Sequence, residues 1–378
     1  MTSWRTTHLG AVVTLQRGFD LPSRLRRRGR IPVVSSSGTS GWHDQPMVKA
    51  PGVVTGRYGT IGEVFFEEAD FWPLNTTLWV SNFHGNDKRF IYYLLQRINF
   101  AAHSGKSGVP GVNRNDLHRE LVSLPLLVDE QRSIADTLSD CDDLIAALER
   151  QIAKKQAIKQ GMMQQLTTGN TRLSGFTDEF AERRLSDVSI KIQDGTHFSP
   201  RLDGSAFKYI TSRNIGFGVL KLDTVETISE SEHRKIYSRC DTRFGDLLIT
   251  KDGANTGNAA LNTFREEVSL LSSVAFLRCD PRKASEAYIL QYLLSYQGRQ
   301  QIKNAMAGNA ITRLTLAKIR DLVVPMPGVD EQRALAHVLG DADAEIAAMR
   351  ARLRKIFDVK RGMMQSLLTR LPEKGGAV

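Results

Sequence analysis

"VDEQR" stands at Val128–Arg132 and again at Val329–Arg333. Each copy follows a proline-marked apolar run, "LPLL" and "VPMP". Each leads, about thirty residues on, to "GMMQ", at Gly161–Gln164 and Gly362–Gln365. Displacing the chain by 201 residues aligns Asp129–Gly169 with Asp330–Arg370 without a gap, and 19 of the 41 positions are identical. A repeat of this kind decides the architecture before any local reading does.

Both copies carry a seven-residue apolar period. In the first, Leu138, Ile145, Ile152, Lys159 and Leu166 form one set, and Cys141, Leu148, Lys155 and Met162 the interleaved one. In the second, Leu339, Ile346, Leu353, Lys360 and Leu367 alternate with Ala342, Met349, Ile356 and Met363. This is the a/d seam of a coiled coil. Each helix would run nearly forty residues, about 55–60 Å. A helix so long with one apolar seam is marginal alone, and its economical partner is the other copy. On that pairing the contact residues are Leu138, Ile145, Leu148, Ile152 and Met162 against Leu339, Ile346, Met349, Leu353, Ile356 and Met363, the alternative being that each helix packs on its own domain as an ordinary amphipathic helix. Asp129 and Asp330 are suited to cap the two N-termini, and the acidic residues after them suit the helix dipole. Lys159 and Lys360 share an a position, where a polar residue costs stability and fixes register. Gly161 and Gly362 imply either close packing or a helix end, since glycine costs about 1 kcal/mol inside a helix.

The residues before each helix alternate short apolar and polar runs punctuated by glycine, which reads as mixed α+β. They resemble one another weakly. "HLGAVVTLQRG" (His8–Gly18) corresponds to "RLSDVSIKIQDG" (Arg184–Gly195), and "IPVVSSSG" (Ile31–Gly38) to "FKYITSRNIG" (Phe207–Gly216). "GVVTGRYGTIG" (Gly52–Gly62) corresponds to "GDLLITKDGANTG" (Gly245–Gly257). The organisation is globular domain 1–128, helical segment 129–170, globular domain 171–328 and helical segment 329–378. The helices have stayed alike while the domains have diverged, so one job is done twice and a similar job is done on two targets.

Composition is that of a globular protein, 41% hydrophobic and 24% charged, and the net charge of +10 favours a polyanionic partner, nucleic acid above all. No apolar run is long enough to span a membrane, and no secretory leader is visible, so a cytoplasmic location without membrane contact is expected. Three cysteines far apart argue against a disulfide framework or a cysteine metal site. "SGKSG" lacks the first glycine of a phosphate loop, where Phe100 stands. No G-x-G-x-x-G, H-E-x-x-H or G-x-S-x-G is present, nor a nuclease or amino-methyltransferase signature. Neither a metal site nor catalytic residues are expected.

The order of the four segments, the duplicated "DEQR…GMMQ" helices, the exit "LTTGNTRLSGF" (Leu166–Phe176) and "DGTHFSP" (Asp194–Pro200) resemble the specificity subunit of type I restriction–modification systems. The resemblance implies two similar target recognition domains separated by two long helices in an antiparallel coiled coil with pseudo-two-fold symmetry. It implies that each domain reads one half of a bipartite double-stranded DNA site, while the helices set the spacing. It further implies docking of two DNA methyltransferase subunits, which hold S-adenosylmethionine, and joining by restriction–translocase subunits. The chain itself would hold no cofactor and be no enzyme. A stand-alone DNA-binding regulator with duplicated reading domains is the alternative.

Protein–DNA hydrogen bonds come mostly from basic and small polar side chains. The candidates in the first domain are Ser35, Ser36, Arg57, Tyr58, Lys106, Asn113 and Arg114. Those in the second are Thr196, His197, Ser212, Arg213, Asn214, Lys251, Asn255, Asn309 and Arg313. Glycines beside them allow close backbone approach to phosphate. The run "SRLRRRGR" (Ser23–Arg30) reads either as a non-specific phosphate clamp or as a solvated charge run.

Overall fold

The computed structural model describes residues 3–103, 111–202, 204, 206–306 and 313–368. By contacts the chain forms two compact units, residues 1–149 with 351–378, and residues 150–350. This division cuts through both long helices, so each unit holds one globular domain and part of each repeat.

In the first unit, β1 (Trp4–His8) pairs antiparallel with β9 (Leu121–Pro125). β2 (Thr14–Arg17), β5 (Gly52–Gly56), β6 (Val64–Glu67) and β8 (Thr77–Asn82) form a four-stranded sheet in the order β2-β8-β5-β6. β3 (Ile31–Ser35), β4 (Gly38–His43) and β7 (Trp72–Pro73) form a second, in the order β4-β3-β7. α1 (Lys88–Gln96) lies on the four-stranded sheet and α2 (Arg114–His118) precedes β9. Asp87 caps α1, accepting from Phe90 N at 2.8 Å, which places the apolar face of the helix on Leu15, Val53, Leu78 and Val80.

The second unit repeats this strand for strand. β10 (Ala181–Arg184) pairs with β18 (Val323–Met326). β11 (Ser189–Asp194), β14 (Leu247–Thr250), β15 (Ala259–Leu261) and β17 (Val274–Cys279) run in the order β11-β17-β14-β15. β12 (Phe207–Ile210), β13 (Glu226–Ile228) and β16 (Val268–Leu270) run in the order β13-β12-β16. The short α4 (Leu185–Val188) follows β10, and α5 (Glu230–Tyr237) fills a longer connection before β14. α6 (Glu286–Leu294) and α7 (Tyr296–Met306) pack together, and α8 (Leu316–Arg320) precedes β18. The weak sequence correspondence between the domains is thus a full topological one.

α3 (Val128–Leu166) and α9 (Val329–Leu367) are the two repeats, each 39 residues. Within the first unit, Lys360 Nζ lies 2.5 Å from Asp142 Oδ1, and Cys141 Sγ lies 3.8 Å from Met363 Sδ. Within the second, Lys159 Nζ lies 2.6 Å from Asp343 Oδ1, and Lys155 Nζ 2.8 Å from Glu345 Oε1. In both units rising numbers on one helix meet falling numbers on the other, so the pairing is antiparallel. Lys159–Asp343 and Lys360–Asp142 are one ion pair made twice, related by the repeat. The a-position lysines therefore have a partner and a register to hold.

The seam follows the heptad. Leu138, Ile145, Leu148 and Ile152 on α3 are buried, as are Leu339 and Ile346 on α9. Met349, Leu353, Ile356 and Met363 are half-buried. Burial of one such aliphatic side chain contributes about 1.5–3 kcal/mol. Near the exit of α3 the deeper residue is Met163, with Met162 half-buried beside it, both against the core of the second unit.

Two expectations are corrected. Asp129 and Asp330 do not cap. They lie inside the first turn, exposed, and each pairs with the arginine three residues on, Asp129–Arg132 at 2.9 Å and Asp330–Arg333 at 3.0 Å. Their position still suits the dipole. Gly161 and Gly362 mark neither close packing nor a helix end. Both lie within helix, and a Cβ on either would meet nothing within 4 Å.

A further residue present in both copies of the repeat, the glutamine, is buried and fully bonded. Gln131 and Gln332 are each 1% exposed. Gln131 accepts from Asp87 N at 2.9 Å and donates to Asn86 Oδ1 and Pro125 O, at 2.9 and 3.0 Å. Gln332 accepts from Ser285 N at 3.0 Å and donates to Lys283 O and Pro327 O, at 3.2 and 2.9 Å. In each unit this side chain ties the start of the long helix to the N-cap of the domain's own helix. Glu331, 1% exposed, is held by Arg172 of the "LTTGNTR" exit at 2.8 and 2.5 Å.

Candidate nucleic-acid interface

Three chain segments converge beside the end of the central strand in each domain. In the first unit, Arg57 N donates to Thr76 O at 2.8 Å, and Arg57 O accepts from Val112 N at 2.9 Å. In the second, Lys251 N donates to Ser273 O at 2.7 Å, and Lys251 O accepts from Leu314 N at 2.9 Å. Arg57 and Lys251 therefore occupy one position of the shared fold, and so do Tyr58 and Asp252. Gly59 and Gly253 follow, with φ +80° and +98°, a conformation in which a side chain would be strained. The β3–β4 turn brings Ser36 Oγ within 3.5 Å of a Cβ on Gly59, and Ser212 Oγ lies 3.8 Å from one on Gly253.

The side chains at these equivalent positions differ. Arg57 is half-buried, with its guanidinium 4.4 Å from the centre of the Tyr58 ring and Nη1 donating to Asn75 O at 3.5 Å. Tyr58 is 42% exposed. Among the described residues neither Arg57 nor Arg114 has a carboxylate partner. Ser35 closes its turn by donating to Gly38 O at 2.9 Å, while Ser36 is half-exposed. Asn113 is exposed but spends its side-chain oxygen capping α2, accepting from Asn115 N at 2.9 Å.

In the second unit the cations are answered by carboxylates. Lys251 is 2% exposed and bonded to Asp194, itself 7% exposed. It is an internal residue, which corrects its reading as a DNA contact. Asp194 stands where Arg17 stands in the first unit, each preceding a glycine whose N–H bonds the neighbouring strand, Gly18 to Thr77 O and Gly195 to Val274 O. Arg313 pairs with Asp252 at 2.9 Å and Arg213 with Glu226 at 3.1 Å. Exposed pairs of this kind are worth about 0–1 kcal/mol. Asn214 is also corrected. It is 2% exposed, accepts from Thr211 N at 2.9 Å in a capping box, and donates to Thr224 O at 3.2 Å. Thr196 is buried and accepts from Phe198 N at 3.3 Å. His197 is exposed, 3.6 Å from Asp194. Ser212 and Asn255 are half-buried on the same loops. Lys106 and Asn309 lie outside the described residues.

Sequence reasoning missed the end of α5. There Lys235, Arg239 and Phe198 border a cleft of about 350 Å³ over Thr196. An eight-residue helix with no motif gave no signal. Burial pushes the thiol of Cys240, on the cleft floor, up to about 11, so it is no nucleophile at neutral pH. Among the described residues no group of three His, Cys, Asp or Glu is placed to hold a metal ion. No helix among them is long and apolar enough to cross a membrane.

Residues 1–160 match the family described as "Type I restriction modification DNA specificity domain". The type I restriction enzyme MjaVIII specificity subunit of Methanocaldococcus jannaschii is 24% identical over 299 residues, covering 75% of this chain and 70% of the relative. The type I restriction–modification S subunit from M. genitalium has a similar fold, with TM-score 0.68 and 17% identity, over 98% of this chain and 97% of that one. A chain from a structure concerned with assembly and conformational transition of the type I R-M system matches with TM-score 0.55 and 15% identity, over 97% of both chains. The first 160 residues thus match a type I restriction–modification DNA specificity domain, and the chain as a whole shares the fold of an S subunit from such a system.

Proposed function

We propose that the chain is the non-catalytic, DNA-reading subunit of its complex, and that each unit reads one half of a bipartite double-stranded site. The observation that carries this is one loop framework built twice with different side chains at equivalent positions, Arg57-Tyr58-Gly59 in one unit and Lys251-Asp252-Gly253 in the other. A common frame with exchanged side chains is what two readers of different sequences need. The net charge of +10 suits a polyanionic partner.

The paired helices set the distance between half-sites and dock two DNA methyltransferase subunits, which bind S-adenosylmethionine and carry the chemistry. Restriction–translocase subunits join that assembly in the cytoplasm. Arg57 and Tyr58 are the leading contacts of the first unit, with Ser36 and Arg114 beside them. Arg213, Arg313, His197 and Ser212 lead in the second.

The test is to co-express the chain with its neighbouring methyltransferase and map methylated bases across the genome. A split motif supports the reading. A chain that binds DNA tightly but copurifies with no methyltransferase would instead be a regulator.

A further inference from the structure

The loop Ser23–Arg30 is fastened to the edge strand β4. Arg26 Nη1 donates to Ser40 O at 3.0 Å, and Arg27 N donates to His43 Nδ1 at 3.0 Å. Arg27 also pairs with Asp44 at 3.0 Å. Gly29 lies so close to the strand that a Cβ there would stand 2.1 Å from His43 O. Two arginines are thus used to seat the loop. The other three, Arg24, Arg28 and Arg30, are exposed, and among the described residues none has a hydrogen-bond or ion-pair partner. Beside them Trp42 on β4 is 57% exposed and Leu25 is 57% exposed. A merely solvated charge run has no need of a seated backbone or of an indole turned to water.

The same hairpin carries the recognition turn at its other end. Ser35 pairs with Gly38 beside the Gly59 loop, and Ile31 pairs with His43 beside the arginines. Five residues of strand span about 15 Å. That is about four to five base pairs of duplex DNA. We infer that Arg24, Arg28 and Arg30 form a sequence-independent phosphate contact of the first unit, on duplex flanking the half-site that this unit reads. The inference rests on the DNA-reading function proposed above.

The experiment compares the full chain with R24A/R28A/R30A and R24K/R28K/R30K. Binding is read by fluorescence anisotropy across a salt series, on a target duplex with long flanks and on one trimmed to the recognised site. Each phosphate contact contributes about 0.9 to the slope of log affinity against log salt. The alanine variant is expected to lose about two to three units of slope on the long duplex and on non-target DNA, and none on the trimmed one. The lysine variant should keep the full slope, because a phosphate accepts either cation. An unchanged slope in the alanine variant, with sequence-specific binding intact, overturns the inference alone. A wild-type chain without salt-dependent DNA binding overturns the DNA-reading function as well. A changed sequence preference would make the arginines base readers. Binding to phosphatidylserine vesicles that only the alanine variant loses, its DNA slope unchanged, would assign the surface to a membrane.

Discussion

At the residue scale, the repeated pentapeptide is explained by its buried side chains, the glutamine in both copies and Glu331 in the second, rather than by its exposed aspartate and arginine. Gln131 and Gln332 each make three hydrogen bonds inside their own unit, with both ends of the amide used. Truncation to alanine orphans a backbone N–H and carbonyl that water reaches poorly, at about 1–3 kcal/mol for each unsatisfied group. Gln131→Ala should therefore lower stability by about 2 kcal/mol or more in urea denaturation, while Arg132→Ala, whose side chain is mostly exposed, should cost under about 1 kcal/mol. Equal losses would return the role to the charges. His118 offers a second test. Its Nε2 accepts from Leu15 N at 2.9 Å, which requires the neutral ring there, and burial followed by the charge of Arg114 holds its pKa below the ordinary 6.5. A lowered histidine pKa means that the folded form binds fewer protons than the unfolded one. Stability contributed by this group is complete above 6.5 and declines as pH falls from there through the folded-state value. His118→Gln, which retains an acceptor without the titration, should flatten that decline. The same acid sensitivity in the variant would place it elsewhere. None of this is legible in sequence. A glutamine among four charged or apolar neighbours looks like surface, and its burial depends on where the next helix is capped. The loop cations pose the same difficulty, since Lys251 reads like Arg57 until Asp194 is seen against it.

The long helices are the elements that the sequence discloses best. Their period and mutual pairing follow from a repeat with a seam, because a forty-residue amphipathic helix has few other ways to shelter one stripe. What the period does not disclose is which polar side chains answer one another across the pair. Lys159–Asp343 and Lys360–Asp142 each join a sheltered a-position ammonium to a carboxylate on the partner helix. Lys159→Asp should destabilise the second unit by placing like charges together, and Lys159→Asp with Asp343→Lys should restore much of the loss. A double-mutant cycle should give a coupling of about 1–2 kcal/mol, and a coupling near zero would leave the lysines without a register role. The glycines of "GMMQ" make a complementary case. Since a Cβ meets nothing at Gly161 or Gly362, alanine gains helix propensity without a clash. Each substitution should stabilise by about 0.5–1 kcal/mol in thermal or urea melts. Destabilisation of the isolated chain would mean that packing at the glycines had been misjudged. Loss of activity in the assembled complex, with stability raised, would point instead to a partner that approaches those glycines closely.

At the scale of the molecule, the informative fact is that every ion pair found between α3 and α9 lies within one unit. Unit one holds Asp142–Lys360, and unit two holds Lys159–Asp343 and Lys155–Glu345. The boundary passes between Glu149 and Arg150 on one helix and between Arg350 and Ala351 on the other. A heptad inserted at both points leaves each unit's own pairs intact and lengthens both helices by about 10 Å, with a net rotation of only about 20°. If the helices are the ruler, the two half-sites should keep their sequences while the unspecified spacer between them grows by about three base pairs. Mapping of methylated bases in cells carrying the double insertion reads both quantities at once. A spacer of unchanged length would remove the ruler role. A changed half-site sequence would mean that reading depends on the helices as well as on the loops. Insertion into α3 alone makes the sharper contrast, because it shifts one helix against the other and sets a-position lysines opposite the wrong partners. That variant should lose methylation altogether where the double insertion keeps it.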